Sequence, residues 1–517
     1  MESSTRRGCL TLRILLLGLF YVQPGRAFPD NTGSCTNRHP CDDFTQDAAA
    51  QNIVAHRVGV VILGGGVAGI AAAKSLIENN YTDFVLLEAG GYLGGRVRTH
   101  REGNILVEEG AEWIHGGEKN PIYRWARKFN KVSPYVTEDD YDWKVVTQDG
   151  TPSDPSKYKV IKLMETCMAQ EVIAQYRNHS YGHCYLDRFP YAYGRGTGSK
   201  IGRAWLHLLE QIVNYEEGTD SWLESSALDT GRYANYGLSF QWKDGYDTFV
   251  NFLKANISAD LVRLSTPVCR ITWDEGGFGR DQVLVSTRGF DQSTTYLADH
   301  VIVTASVGHL KERHAHLFRP ALPPQFLKDL SGIELGVVDK VQMGWAAPWW
   351  GMRPLWIMIL WTEFNLPLDM EWMYGVVQVM SVHQLESVVQ VFVTGRHATA
   401  MENLPEEIVR EHLRSLLSNV TKREVPKPTF FRRTQWGLNP WTQGAYSSFV
   451  TVEGDQAGLR SRIPFQVPLE NSSGKKVVLW AGEHTHNTHY STVDGAMDSG
   501  LRAASEVLGL LRAKGRF

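Results

Sequence analysis

The stretch VGVVILGGGVAGIAAAKSLIENN, residues 58–80, limits what this chain can fold into more than any other. An unbroken apolar, β-branched run ending at Leu63 suits a parallel strand buried on both faces. Gly64, Gly66 and Gly69 follow in the pattern G-x-G-x-x-G, and helical apolar spacing then runs to Ile77. Glycine at these positions permits a tight turn, close approach of a pyrophosphate and close helix–strand packing, while the helix start offers free N–H groups to phosphate. A second strand, FVLL, ends at Glu88, nineteen residues past Gly69, where a carboxylate can accept hydrogen bonds from a ribose hydroxyl. The unit is βαβ and predicts a nucleotide-binding sheet.

Further strands of that sheet are predicted at 282–286, 298–305 and 476–481, the last feeding a helix from about 493 to 511. Mixed segments intervene, including the helical IGRAWLHLLEQIVNY at 201–215. The expected organisation is a nucleotide domain made of 56–130, 236–311 and 430–517, interleaved with a second domain made of 131–235 and 312–429. With 517 residues, two packed domains are the better prior. A net charge of -3 without a long basic run gives nothing to hold a nucleic-acid backbone.

The chain opens with Arg6 and Arg7 ahead of an apolar run over 10–22, then Gly25 and Ala27, the pattern of a signal peptide cleaved after Ala27, with 28–55 as an extension. No stable membrane insertion is expected after its removal, and secretion is the expected destination. Asn80, Asn178, Asn256, Asn419 and Asn471 each begin a glycosylation sequon. In an oxidising compartment Cys35–Cys41 and Cys167–Cys184 are the local pairings to test, with Cys269 read as a buried free thiol, although spacing leaves connectivity open.

Near the chain's end, LWAGEHTHNTHYSTVDGAMDSG (479–500) gathers His484, His486 and His489 with Glu483 and Asp494. Metal ligation needs these on one regular element with an open inward face, whereas the flanking Gly, Ser and Thr indicate a loop, so no metal site is expected. Together with LEAGGYLGGR at 87–96, this block resembles the flavin-containing amine oxidases, and the resemblance runs from about residue 58 to 511. It implies an α/β fold in which a Rossmann-like FAD-binding domain interleaves with an α+β substrate domain of mixed sheet and helices. FAD is expected to be non-covalent, because no cysteine lies near the aromatic segment where relatives attach it.

The resemblance also implies roles. Gly95 and Arg96 approach the FAD phosphates, Val268 and Trp436 contact the cofactor, and Glu483 bonds the ribityl chain. Thr492 and Val493 open a helix aimed at the flavin's pyrimidine edge, capped by Ser491 or Thr492, which stabilises negative charge on the reduced ring. His115, in GAEWIHGG, orients the amine or moves its proton; Lys340 holds a water against flavin N5. Tyr446 and Tyr490 stand at the substrate. Glu216 and Glu217, or the cluster Glu138, Asp139, Asp140 and Asp142, are candidates to line the entrance for a polycationic amine. The histidines of the terminal block are read as solvated loop or supporting groups. The implied activity is oxidation of polyamines, free or acetylated, by FAD and dioxygen with release of hydrogen peroxide. The alternatives are an L-amino-acid oxidase, which needs an arginine for the substrate carboxylate, another amine oxidase of the same fold, a histone demethylase of the family, which needs a long helical insertion and a nuclear address, or an inactive secreted flavoprotein. Which polyamine, which C–N bond and which oligomeric state stay open.

Overall fold

A computed structural model describes residues 28–29, 35–36, 39–42, 55–133, 144–152, 157–274, 281–288, 293–351, 354–382, 385, 387–445, 449–513 and 515. The predicted signal segment, the acidic cluster at 138–142 and Tyr446 lie outside these residues.

Strand β1 (Ala55–Leu63), helix α1 (Val67–Glu78) and strand β2 (Phe84–Leu87) form the expected unit. β1 is hydrogen-bonded in parallel on both sides, to β2 and to β3 (Thr295–Val303), which explains why Val60, Val61 and Ile62 are fully buried. The nine-stranded sheet also takes in Lys476–Trp480, parallel to β3, and Val283–Thr287 and Val268–Thr272, joined by antiparallel pairing. Helix α2 (Val493–Ala513) lies beside α1, and small residues of both, Ala68, Ala72, Ala503 and Ala504, share one core with Ile62 and Leu479.

In a six-stranded sheet β4 (Val338–Gly344) is the second strand, paired antiparallel with Val388–Thr394 and with the edge strand Phe430–Arg433. Phe430–Arg433, placed by the sequence at the head of the last nucleotide-domain segment, therefore belongs to this second sheet. Helices Lys157–Met168, Tyr181–Tyr193 and Lys200–Glu217 build a separate core against it through Leu360 and Val377. The architecture is α/β, as expected, with mixed sheets and helices.

The cysteines need one correction. Cys167 and Cys184 are joined across adjacent helices, but Cys41 pairs with Cys269 across 228 residues, so Cys269 is not a free thiol and Cys35–Cys41 does not form. The sheet sets Cys269 beside the turn at 39–42, with Cα atoms 5.2 Å apart, inside the range a disulfide spans. Among the sequons, Asn80, Asn178, Asn256 and Asn419 are exposed, whereas Asn471 is buried and its Oδ1 accepts from the backbone of Ser473 and Lys475. Among the described residues no helix is long and apolar enough to cross a membrane.

Candidate active site

The C-terminal ends of β1, β2 and β3 open onto a cleft with an empty volume of about 1160 Å³, where the ends of parallel strands bind ligands in folds of this kind. Gly64, Gly66, Glu88, Gly95, Arg96, Val268, Glu483, Thr492 and Val493 all line it. Gly66 faces open space, so any side chain there would project into the cleft. Gly69 lies behind the wall: a Cβ on it would come 1.9 Å from the Gly64 carbonyl oxygen, which forces the close helix–strand packing the motif predicts. Glu88 accepts from the N–H groups of Gly65 (2.7 Å) and Gly90 (2.6 Å), yet burial raises its pKa. Arg96 donates to Glu483 Oε1 at 3.0 Å and to the Ala445 carbonyl at 2.9 Å, while Glu483 Oε2 accepts from the Ser491 N–H at 2.9 Å. Thr492 caps α2, accepting from the Gly495 N–H at 3.0 Å.

Thr304, Ser306, His309, Trp441 and Thr442 complete the walls and escape a reading by motif. The signal for the first two is the end of β3, which stops level with the glycine turn. Trp436 stands behind the cleft, its indole N–H donating to the Glu109 carbonyl at 3.2 Å.

A second chamber is lined by His115, Tyr233, Ala234, Tyr236, Ser239 and His489 together with four neighbours. His115 ends strand Trp113–His115, which pairs with Ser239–Gln241, and this register brings its Nδ1 to 3.1 Å from Ser239 Oγ. Burial lowers its pKa, with the positive side of His489 adding to the shift and Asp494 opposing it. Tyr490 lies one ring behind Tyr233, donating to the Asp229 carbonyl at 3.0 Å, with the Arg462 guanidinium 3.4 Å from its ring centroid.

Lys340 is buried on β4, and its Nζ donates to the carbonyls of Glu108 (3.1 Å) and Gly110 (2.9 Å) and to Glu112 Oε2 (2.8 Å). An ammonium has three donors, and all three are committed to protein. Lys340 thus braces the segment leading to His115; holding a water requires release of one of these bonds. Its partner Glu112, which also accepts from Gln241 and Gln390, was missed from sequence although it lies three residues before His115 in the same motif.

Two expectations change. Glu216 and Glu217 do not line either cavity together: Glu216 is exposed, while Glu217 turns inward to accept from Ser225 and Thr230, and burial pushes its pKa to about 7. They end a helix, and consecutive helical side chains point roughly 100° apart. Of the terminal histidines, His484 and His489 are supporting groups rather than solvated ones, at 1% and 2% exposure, and burial takes His484 down to about pKa 4, while His486 is partly exposed. Among the described residues no group of three His, Cys, Asp or Glu is placed to hold a metal.

Glu108, between these elements, has its pKa pushed up to about 8, chiefly by burial, against 4.5 in an unfolded chain. The native state therefore keeps a proton that the unfolded chain has released, and stability declines as pH rises from about 4.5 to 8. Glu108→Gln removes that decline: denaturant midpoints of variant and wild type, followed from pH 5 to 9, are expected to converge or cross in the variant's favour as pH rises.

A glycine turn, an acidic strand end and a helix start facing one cleft define a dinucleotide-binding protein. A family model described as flavin containing amine oxidoreductase matches residues 67–508. The peroxisomal N(1)-acetyl-spermine/spermidine oxidase of Homo sapiens is 28% identical over 493 residues, covering 87% of this chain and 95% of that one. The Bos taurus protein of the same name is 27% identical over 87% of this chain and 94% of its own, and polyamine oxidase 1 of Oryza sativa subsp. japonica is 27% identical over 88% and 98%. A solved structure of a putrescine oxidase double mutant, 18% identical, superposes with a TM-score of 0.64 over 88% of this chain and all of that one.

The chain belongs to the flavin containing amine oxidoreductases, and it is an FAD-dependent amine oxidase. The cleft fits that cofactor. Gly66 leaves room for a pyrophosphate at the start of α1, Glu88 stands at the strand end for a ribose, and Arg96 and the start of α2 supply positive ends to the opposite wall.

Proposed function

We propose that the protein is a secreted polyamine oxidase that binds FAD non-covalently. The observation that carries the reading is that two cavities are lined by residues bonded to each other at one helix start: Thr492 of the dinucleotide cleft donates to the carbonyl of His489, which lines a chamber with His115 and tyrosines, at 2.8 Å. The names of the relatives support polyamines as the substrate class. When bound, FAD supplies the electron-pair acceptor for the carbon beside the amine nitrogen and passes the electrons to dioxygen, giving hydrogen peroxide.

The residues of the chain then have defined tasks. Amines are mostly protonated at neutral pH, with pKa near roughly 10, and the lone pair has to be freed. Burial favours neutral His115, and in the tautomer whose Nδ1–H points to Ser239 Oγ, 3.1 Å away, Nε2 is free to take the amine proton. Tyr233 and Tyr236 exclude water and present ring faces to the cation. Lys340 and Glu112 hold residues 108–112 in place, and with them the strand that ends in His115. Imine hydrolysis by water then yields aldehyde and a shorter amine.

Anaerobic mixing with spermine, spermidine, their acetylated forms and L-amino acids tests the reading. A polyamine is expected to bleach the flavin, with products identified by mass; bleaching by amino acids alone would replace the substrate class, and purified protein that takes up no FAD would sink the proposal. Secretion rests on the N-terminal segment and is supported by the two disulfides. Glycan mapping of secreted material is expected to find occupancy among Asn80, Asn178, Asn256 and Asn419 and none at Asn471, whose side chain is tied into its own turn.

A further inference from the structure

We infer that His489 and Asp494 form a charge-cancelling pair that sets the reduction potential of the flavin, with His489 as a positioning residue that acts through Asp494. The inference rests on the reading that the start of α2 faces the flavin. Asp494 is the acidic residue in the first turn of α2, one position past Val493, which lines the cofactor cleft. A carboxylate in the first turn stabilises a helix in general. Here it also opposes the feature that makes the helix start useful, because a negative charge beside the cleft cancels the dipole that would steady charge on the reduced ring.

His489 removes the conflict. Its Nδ1 is hydrogen-bonded to Asp494 Oδ2, and its Nε2 lies 2.7 Å from the Ala234 carbonyl. A carbonyl oxygen only accepts, so Nε2 carries a proton. The proton between Nδ1 and Oδ2 then leaves the pair with zero net charge on whichever atom it rests. The arrangement is built and enclosed: both side chains are buried, at 2% and 3% exposure. The Tyr233 ring stacks parallel to the imidazole at 5.7 Å, and the Tyr236 ring centroid is 3.7 Å away. The Ala234 N–H donates back to the Thr488 carbonyl at 2.9 Å, so the loop at 233–236 is tied to the same strand of chain from both sides. No other cation is hydrogen-bonded to Asp494 among the described contacts.

The test is the midpoint potential of the bound flavin, measured by dye equilibration in the holoenzyme for wild type, His489→Gln, Asp494→Asn and the double variant. Glutamine is uncharged and keeps one of the two hydrogen bonds. His489→Gln is expected to lower the potential by about 30 mV, the shift for a tenfold change in a two-electron equilibrium. Adding Asp494→Asn to it is expected to restore the wild-type value, a rescue that mere loosening of the fold would not give. Asp494→Asn alone is expected to leave the potential equal or higher. An unchanged potential in His489→Gln, a double variant as low as His489→Gln, or a lower potential in Asp494→Asn would each overturn the inference. The last result stands even where His489→Gln fails to fold. Wild-type protein that binds no FAD overturns the proposed function instead, so the two failures are distinct.

Discussion

Lys340→Met is expected to lower stability by about 3–5 kcal/mol and turnover by roughly 10²-fold while the protein stays yellow. The stability loss follows from Glu112, 8% exposed, which keeps the side-chain amides of Gln241 and Gln390 but loses the Lys340 ammonium 2.8 Å away. Removing one partner of a buried pair strands the other charge, and that is where the large figure comes from. The activity loss follows from the carbonyls of Glu108 and Gly110, which lose their shared donor on the approach to His115. The cofactor cleft contains neither Lys340 nor Glu112, so FAD is expected to remain. Glu112→Gln separates the two effects, since Lys340 keeps both carbonyls and only the charge is gone. Wild-type turnover in Lys340→Met would remove the lysine from the mechanism, and wild-type stability would show that Glu112 is not a buried carboxylate.

Arg462→Ala is expected to be as damaging to the fold, by about 3–5 kcal/mol, with a higher KM in any protein that survives. Arg462 is fully buried and bidentate to Asp229, at 2.6 and 2.7 Å, and its guanidinium plane covers the ring of Tyr490. Asp229 itself accepts from the Val450 N–H at 2.9 Å and offers its own carbonyl to Tyr490, so one substitution disturbs an ion pair, a strand end and an aromatic wall. Arg462→Lys is not expected to rescue it, because a point charge cannot reproduce the two parallel hydrogen bonds or the stacked plane. The measurement is the denaturant midpoint beside KM for the best amine; a midpoint unmoved in Arg462→Ala sinks the account.

What was legible in the sequence was local. The strand–glycine–helix unit, Glu88 at the next strand end, the start of α2 with its Thr492 cap and the Cys167–Cys184 pairing each lie within a few dozen residues, where period and spacing carry the signal. What was not legible depends on register between distant strands. Cys41 meets Cys269, and Glu112 meets Lys340, each across 228 residues, and no spacing rule reaches that far. For the terminal histidines the sequence leaves a solvated and a supporting role both open, for a different reason. Polar residues flanked by Gly, Ser and Thr read as a solvated loop, yet the 2.7 Å bond to Ala234 and the pairing with Asp494 satisfy His489 inside the protein. Glu217, a candidate to line an entrance for a polycationic amine, instead turns inward to Ser225 and Thr230, because successive side chains on a helix face different directions.

The walls of the cofactor cleft come from 63–68, 87–97, Ala111, 266–309 and 441–496, with Val493 and Ala496 of α2 among the last. A ribosome must deliver nearly all of this polypeptide before the cleft exists. The glycine turn, made early, therefore waits as an unfinished cradle until the later helix closes it, and a chain cut short before Val493 is expected to retain no flavin.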